Sequence, residues 1–515
     1  MNPTPLRLTA TFSLVLLAFP AAAQETDIDK VRAATAKLIG LLIEQGVLSR
    51  DKAEALLKEV ATPAASPATG AATAGSAKAS ANSGTVRVPY VPEFMRQEIK
   101  DELRAELTAQ AAREGWAAPG SVPAWTRTIT VDGDLRTRYQ FDRFAADNAP
   151  AISVTDTNRN RAISLLNTTE NRHRLRVRAR LGLTAVVDDN WSAGVRLTTG
   201  STSDPTSSNQ TLGVYGNRYT TAFDRAYIRY RNGDVVNVVA GRFGNPRFGT
   251  DLLWATDLSF DGVAAQWTPQ LGVSTRGFVT LAAMPVQEVE LATADKWLLG
   301  GQLGATLAGS AHSVGAKVGL GYYRYTNMVG KVNPAGSTIN DFTAPQFAQK
   351  GNTYYNISSD PTKPLLALAS DYQLVNLVGQ VDFPTIAGKR VMLTGDFVRN
   401  VGFKSAKVSQ RVGLDVAAKV NAYHLRVAFG DPEIKARHDW QAFMAYKRVE
   451  RDAVLDAFTD GDFHLGGTDA KGYILGGSYG LGKNTAVTLR YLSGDSISGP
   501  PLSIDVLQLD LNLRF

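Results

Sequence analysis

The sequence of 515 residues predicts an all-β transmembrane barrel of about 16 antiparallel strands, with a small α-helical segment ahead of it. Three observations carry that fold class. From Thr128 to the C-terminus, apolar and polar residues alternate with period two over stretches long enough to cross a bilayer. The connections between these stretches alternate between short and long. Aromatic residues recur at both ends of the apolar phase, where a membrane interface would lie. Composition narrows the alternatives. A mean hydropathy of −0.13 excludes a helical membrane protein, which needs repeated apolar runs of about 20 residues. With no cysteine there is no disulfide framework, thiolate nucleophile or Cys-based zinc site. A formal charge of +7 is modest for this length, and no basic tail accompanies it, so no nucleic-acid partner is indicated.

The elements follow in order. Residues 1–23 read as a secretory signal peptide: Arg7 gives a positive start, Leu8–Phe19 is a short apolar run, and Ala21, Ala22 and Ala23 offer a small-residue cleavage site. Its removal takes away Arg7 and leaves the mature chain at +6. Residues 24–61 read as a helical hairpin, with Gly46 as a stop and Ser49 as the next N-cap. Residues 62–87 are an Ala/Ser/Thr/Gly/Pro linker with no core-forming pattern. Residues 88–122 carry an amphipathic, coiled-coil-like helix with Met95, Ile99, Leu103, Leu107 and Ala111 on one face. That face suits either self-association or packing against its own chain. Residues 123–515 form the barrel.

In the first strand Ile129, Val131, Leu135, Tyr139 and Phe141 share one face, while Asp132, Asp134, Arg136, Arg138, Gln140 and Asp142 share the other. The second is starker. Leu175, Val177, Ala179, Leu181 and Leu183 alternate with Arg172, Arg174, Arg176, Arg178 and Arg180. A soluble sandwich rarely lines one face with five arginines; a membrane barrel turns its apolar face to lipid and its polar face to a lumen. Short polar turns fall at 188–190, 231–234, 268–271, 308–311, 384–389, 431–438 and 480–484. Longer connections fall between them at 143–170, 200–220, 244–259, 283–296, 327–366, 402–410, 451–470 and 494–503. This is the asymmetry of periplasmic turns and extracellular loops, and it puts both barrel ends on the periplasmic side. Trp191, Tyr230, Trp267, Phe383 and Tyr479 mark turn-side strand ends in the lipid phase; Tyr139, Phe141, Tyr322, Phe397 and Tyr491 mark loop-side ends.

With a signal peptide, this barrel pattern and a terminal Phe515, the chain resembles a Gram-negative outer-membrane porin. More narrowly it resembles the putative-porin family with a helical N-terminal periplasmic extension. The stretches that carry this are KLIGLLIEQGVLSRDKAEALLKE (37–59), VPYVPEFMRQEIKDEL (88–103), GDLRTRYQFDR (133–143), ENRHRLRVRARLGL (170–183), GRFGNPRF (241–248) and DGDFHLGGTDAKGY (460–473). The resemblance implies a homotrimer in outer-membrane lipid and passive diffusion of small hydrophilic solutes. It also implies a Phe515 assembly signal read by the barrel-assembly machinery, and it leaves room for peptidoglycan contact through the N-terminal helices.

The resemblance further implies that the loop after the fifth strand folds inward. Here that segment holds Leu252, Leu253 and Trp254, apolar for an exposed loop, and Asp251 and Asp257 would form the acidic side of a constriction. The facing wall would be basic, built from Arg136, Arg138, Arg172, Arg174, Arg176, Arg178, Arg180, Arg196, Arg225 and Arg229. Rings of arginine are a common construction for anion pores, whereas pairing with Asp132, Asp134 and Asp142 would make the same residues structural. No catalytic constellation, cofactor motif or metal spacing stands out. Gly477–Asn484 only imitates a phosphate-binding loop, and His464 beside Asp460, Asp462 and Asp469 reads as solvated loop chemistry. The alternatives to a channel are an envelope-tethering or adhesive protein anchored by the barrel and, more remotely, a barrel hydrolase.

Overall fold

The structure, a computed structural model, describes residues 128–151, 166–290, 292–310 and 312–515, with Lys100 and Glu106 as isolated helical positions. The signal peptide, helical hairpin, linker and amphipathic helix expected over 1–122 otherwise lie outside the described residues.

Sixteen antiparallel strands form one closed sheet. They are β1 (Ile129–Phe144), β2 (Arg172–Val186), β3 (Trp191–Thr199), β4 (Thr221–Asn232), β5 (Val236–Gly244), β6 (Ser259–Trp267), β7 (Thr275–Gln287) and β8 (Lys296–Leu307). There follow β9 (Gly315–Thr326), β10 (Gln373–Pro384), β11 (Arg390–Asn400), β12 (Asn421–Gly430), β13 (Trp440–Val449), β14 (Ala470–Gly482), β15 (Thr485–Ser496) and β16 (Ser503–Arg514). Each pairs with its neighbours in sequence, and β16 closes on β1, from Asp134 opposite Arg514 to Phe144 opposite Ile504. Closure removes every free strand edge, which a bilayer requires because lipid offers no hydrogen bonds.

The expected length contrast between connections is only partly present. Residues 145–171, 200–220, 327–372, 401–420 and 450–469 are long, but 288–295 and 497–502 are no longer than the turn 431–439. The reason is that β7, β15 and β16 run past the ends expected from the pattern. An eight-residue helix, α1 (Ser405–Val412), sits in one long loop and ends on Gly413 with φ of 79°.

The outer face follows the apolar phase. Leu175, Leu181, Leu183, Leu281, Leu303, Leu425 and Leu509 are all exposed. The aromatic markers Trp191, Trp267, Phe383, Tyr479, Tyr322, Phe397 and Tyr491 are exposed as well, as interfacial girdles require. Phe141 is half-covered, stacked on His173 at 4.4 Å, and Tyr230 lies 5.0 Å from Trp191.

The core lies inside the barrel. Leu252, Leu253 and Trp254 pack with Tyr323, Tyr325, Leu368, Tyr372, Leu374 and Leu455 in one buried cluster drawn from three loops and the inner strand faces. Loops 245–258, 327–372 and 450–469 thus fill the lumen on the β7–β13 side.

Candidate functional site

The inward course of loop 245–258 begins in its flanking strands. Gly241 of β5 lies opposite Gly262 of β6, with φ of 114° and 124°. A side chain at either position would meet a backbone oxygen, that of Ala226 at 2.4 Å or of Ala283 at 2.2 Å. Only glycine adopts this backbone without strain, and the matched pair sits near the foot of the loop.

The loop then touches most of the wall. Gln302 of β8 donates to the Phe248 carbonyl (2.8 Å) and accepts from its N–H (2.9 Å). The Trp254 indole donates to Tyr325 Oη of β9 at 2.9 Å and meets the Tyr323 ring edge-on at 5.0 Å. Arg247 donates to Asn376 of β10 at 2.9 Å, and Thr250 donates twice to Asp396 of β11, at 2.8 and 3.0 Å. Asp251 lies 3.2 Å from His424 of β12 and 3.3 Å from Lys447 of β13. Burial works to raise the Asp251 carboxyl, but Lys447 and His424 outweigh it and hold it far below the ordinary carboxylate range.

Asp257 does not stand across a gap from the arginines. It lies 3.3 Å from both Arg178 and Arg180 of β2 and accepts from Ser208 Oγ at 2.7 Å. Burial again favours the neutral acid, and Arg178, Ser208 and Arg180 together reverse that, keeping Asp257 ionised. The two loop acids are therefore fastened to opposite sides of the barrel, where sequence reasoning had them share one wall.

The ten arginines fall into three groups. Some are neutralised in place. Arg138, with none of its surface exposed, donates to Asp510 of β16 at 2.7 and 2.9 Å and to Asp462 of loop 450–469 at 2.8 and 2.9 Å. Arg490 of β15 also donates to Asp462 at 2.9 Å, so this knot ties the loop to the barrel seam. Arg174 pairs with Asp142 at 2.5 Å, and Asp134 accepts from both Arg178 (2.8 Å) and Arg180 (2.6 Å). Arg196 donates to Asp224 at 2.6 Å. Asp224 reaches the lumen because a bulge in β4 turns both it and Arg225 inward, a break in alternation that the sequence pattern did not reveal. Arg225 and Arg229 have softer company: Ser259 Oγ at 3.4 Å, and the Tyr227 ring with its centroid 4.9 Å away.

The third group, like Arg225 and Arg229, has no carboxylate partner among the described residues: Arg136, Arg172 and Arg176. Arg136 donates to the Asn209 side-chain oxygen and Arg176 to Gln140 Oε1 at 3.3 Å. All three line a cavity of about 600 Å³ between β1–β2 and the filled side of the lumen. Asn209 and Gln140 were not singled out from sequence; Asn209 is placed because Gln210–Thr211 add to β2 beyond the end of the short β3.

His464 corrects an expectation. It is buried, not solvated: Lys350 Nζ lies 3.1 Å from Nδ1, and Nε2 lies 2.9 Å from the Leu502 carbonyl oxygen. Burial, with the Lys350 charge beside it, keeps the imidazole neutral. No metal-ligating cluster occurs among the described residues.

A closed sixteen-stranded barrel with an inward loop and a charged residual lumen defines a transmembrane channel. Residues 32–515 match the family described as putative porin, and the chain belongs to that family of outer-membrane barrels. A comparison with curated proteins gives no match. Among solved structures, Pseudomonas putida OprB at high pH is 12% identical, with 76% of this chain and 95% of that chain covered and a TM-score of 0.46. An anion-selective porin from Comamonas acidovorans is 12% identical over 75% of this chain and 99% of its own, with a TM-score of 0.40. The outer membrane channel DcaP of Acinetobacter baumannii is also 12% identical, over 75% and 97%, with a TM-score of 0.38.

Proposed function

We propose that this chain is a diffusion porin for small hydrophilic anions. The observation that carries the reading is the cavity wall on which Arg136, Arg172 and Arg176 stand without carboxylate partners among the described residues. Guanidinium groups stay charged when crowded, and a narrow lumen with low-dielectric walls focuses their field. Such a field concentrates anions without any conformational step. The paired arginines contribute little to it, because each already faces an acid. The channel works as a homotrimer in outer-membrane lipid, delivered by the barrel-assembly machinery through Phe515, with residues 24–122 on the periplasmic side within reach of peptidoglycan.

The test is the zero-current potential of the purified protein in a potassium chloride gradient across a planar bilayer. Anion preference is expected at about 0.1 M salt and should weaken toward 1 M, as the screening length falls from about 10 Å to about 3 Å. Cation preference at low salt would overturn the reading. An unheated gel checks the trimer: a single-barrel mass would remove it.

A further inference from the structure

We propose that Arg136 and Arg176 together form a saturable binding site for a compact dianionic solute, one that carries two negative charges on oxygen atoms. This rests on the anion-channel reading but goes beyond it, since a diffuse basic field needs no discrete site.

The argument starts from the register of β1 and β2. Arg136 lies opposite Arg178, and Arg138 lies opposite Arg176. Four guanidinium groups therefore share one patch of the inner face, with diagonal neighbours about 7–8 Å apart at the backbone. The protein treats the two diagonals differently. Arg138 has Asp510 and Asp462; Arg178 has Asp134 and Asp257. Each of these two has two carboxylates. Among the described residues Arg136 and Arg176 have none, only one side-chain amide oxygen apiece, from Asn209 and Gln140. In both, Nε is buried without a hydrogen-bond partner. An unmade hydrogen bond on a buried charged group is costly. Four like charges packed together, two of them without a directly paired carboxylate among the described residues, form an arrangement that an anion completes.

The amides set the geometry. Gln140 is itself held, donating to Asp142 at 2.7 Å and accepting from Gln508 at 3.4 Å, so its oxygen fixes the attitude of Arg176. Asn209 turns its nitrogen to Ser207 Oγ at 3.1 Å and its oxygen to Arg136. Neutral anchors orient the guanidinium groups without cancelling their charge. Both arginines line the same cavity of about 600 Å³. A planar guanidinium binds an oxyanion edge through paired hydrogen bonds. Two such groups on neighbouring strands match a solute with two charges and little between them. A monoanion would satisfy only one, and a long diacid would span past the pair. Sulfate-like tetrahedral ions and short dicarboxylates share this chemistry.

The experiment uses the full-length purified protein in planar bilayers with potassium chloride as carrier. Sulfate is titrated in as one probe, malonate as the second, and nitrate as the monovalent control. The expected result is that sulfate or malonate depresses chloride current along a saturating curve, while nitrate does not. Whichever of the two saturates at lower concentration assigns the solute to the tetrahedral or the dicarboxylate type. In the double variant Arg136→Gln and Arg176→Gln, half-depression should need at least about tenfold more of that probe, the scale of losing one or more charge-assisted hydrogen bonds. A wild-type channel that prefers anions but shows a linear, nitrate-like response to both probes overturns the site and leaves the channel reading standing. So does saturation that survives in the double variant. A wild-type channel with no anion preference overturns both. Because the wild-type titration alone can refute the site, the outcome does not depend on the variant inserting.

Discussion

Replacing Trp254 with alanine should release the middle of the inward loop while leaving the barrel closed. Trp254 is 1% exposed, donates to Tyr325 Oη at 2.9 Å, and meets Phe260 and Tyr323 edge-on at 4.9 and 5.0 Å. Truncating a buried tryptophan costs about 3–5 kcal/mol, and the aromatic pairs contribute about 0.5–1.5 kcal/mol each beyond their buried area. None of the strand hydrogen bonds involves this side chain, so the cost falls on loop closure and not on the sheet. A loss of about 3–4 kcal/mol changes the ratio of docked to undocked loop by about 10² to 10³. The remaining anchors at Arg247, Thr250 and Asp257 keep its two ends in place. Single-channel recording should therefore show a larger or noisier conductance, and limited proteolysis should gain cuts within 248–256. Trp254→Phe keeps ring packing but loses the N–H bond, worth about 0.5–1.5 kcal/mol, and should fall between wild type and alanine. The reasoning fails if the alanine variant, shown to be heat-modifiable like wild type, has unchanged conductance and protease resistance.

Three further outcomes follow from the same geometry. Asp257→Asn removes the acceptor shared by Arg178 and Arg180, and the zero-current potential should move further toward anions; an unmoved potential would mean those arginines are still fully screened by Asp134. Burial and then the neighbouring Asp251 carboxylate push Asp460 up to about 7, with Lys447 and Arg490 opposing. Because Asp460 takes up a proton as pH falls through that value, the cavity gains positive charge and anion preference should rise between pH 8 and 6; Lys350 of the same cavity, pushed down to about 7 by burial, gains charge in the same window, so Asp460→Asn should shrink the rise without abolishing it, and an unchanged profile would exclude this group. Phe515→Asp should lower outer-membrane levels more than final stability, since a charge at interface depth costs only about 0–1 kcal/mol. Quantitative blotting of membrane fractions reads this, and wild-type levels would count against an assembly role.

The barrel was legible because lipid imposes a rule on every residue. Side chains of one parity must be apolar and the backbone must pair without edges, so alternation in β2 alone, leucine against arginine, announces both the strand and its two environments. The strand count and the girdle aromatics follow from repeating that rule. Where the rule relaxes, the reading slipped. The bulge at Asp224 and Arg225 turns two successive residues inward, and strands that run past the bilayer, such as β7 and β15, shorten the loops they carry.

The lumen was less legible, because its order comes from residues that meet across the barrel. The sequence shows five arginines on β2 with equal standing, yet among the described residues only Arg172 and Arg176 keep a charge free of carboxylates. What separates the inner-face arginines of β1 and β2 is which acids arrive: Asp142 and Asp134 of β1 take Arg174, Arg178 and Arg180, and distant acids take the rest of the pairing. Asp462 and Asp510 reach Arg138 from 324 and 372 residues away, and Asp257 reaches Arg178 from 79 residues away. Alternation says that a side chain faces inward; it carries no information on which loop will later fold onto it. His464 shows the same limit, since a glycine- and aspartate-rich stretch has the composition of a solvated loop but is buried under Lys350 and the Leu502 carbonyl. Selectivity in this barrel is therefore a property of the loops as much as of the wall. They fasten their acids to chosen arginines, and the charges they leave uncovered are the ones a solute meets.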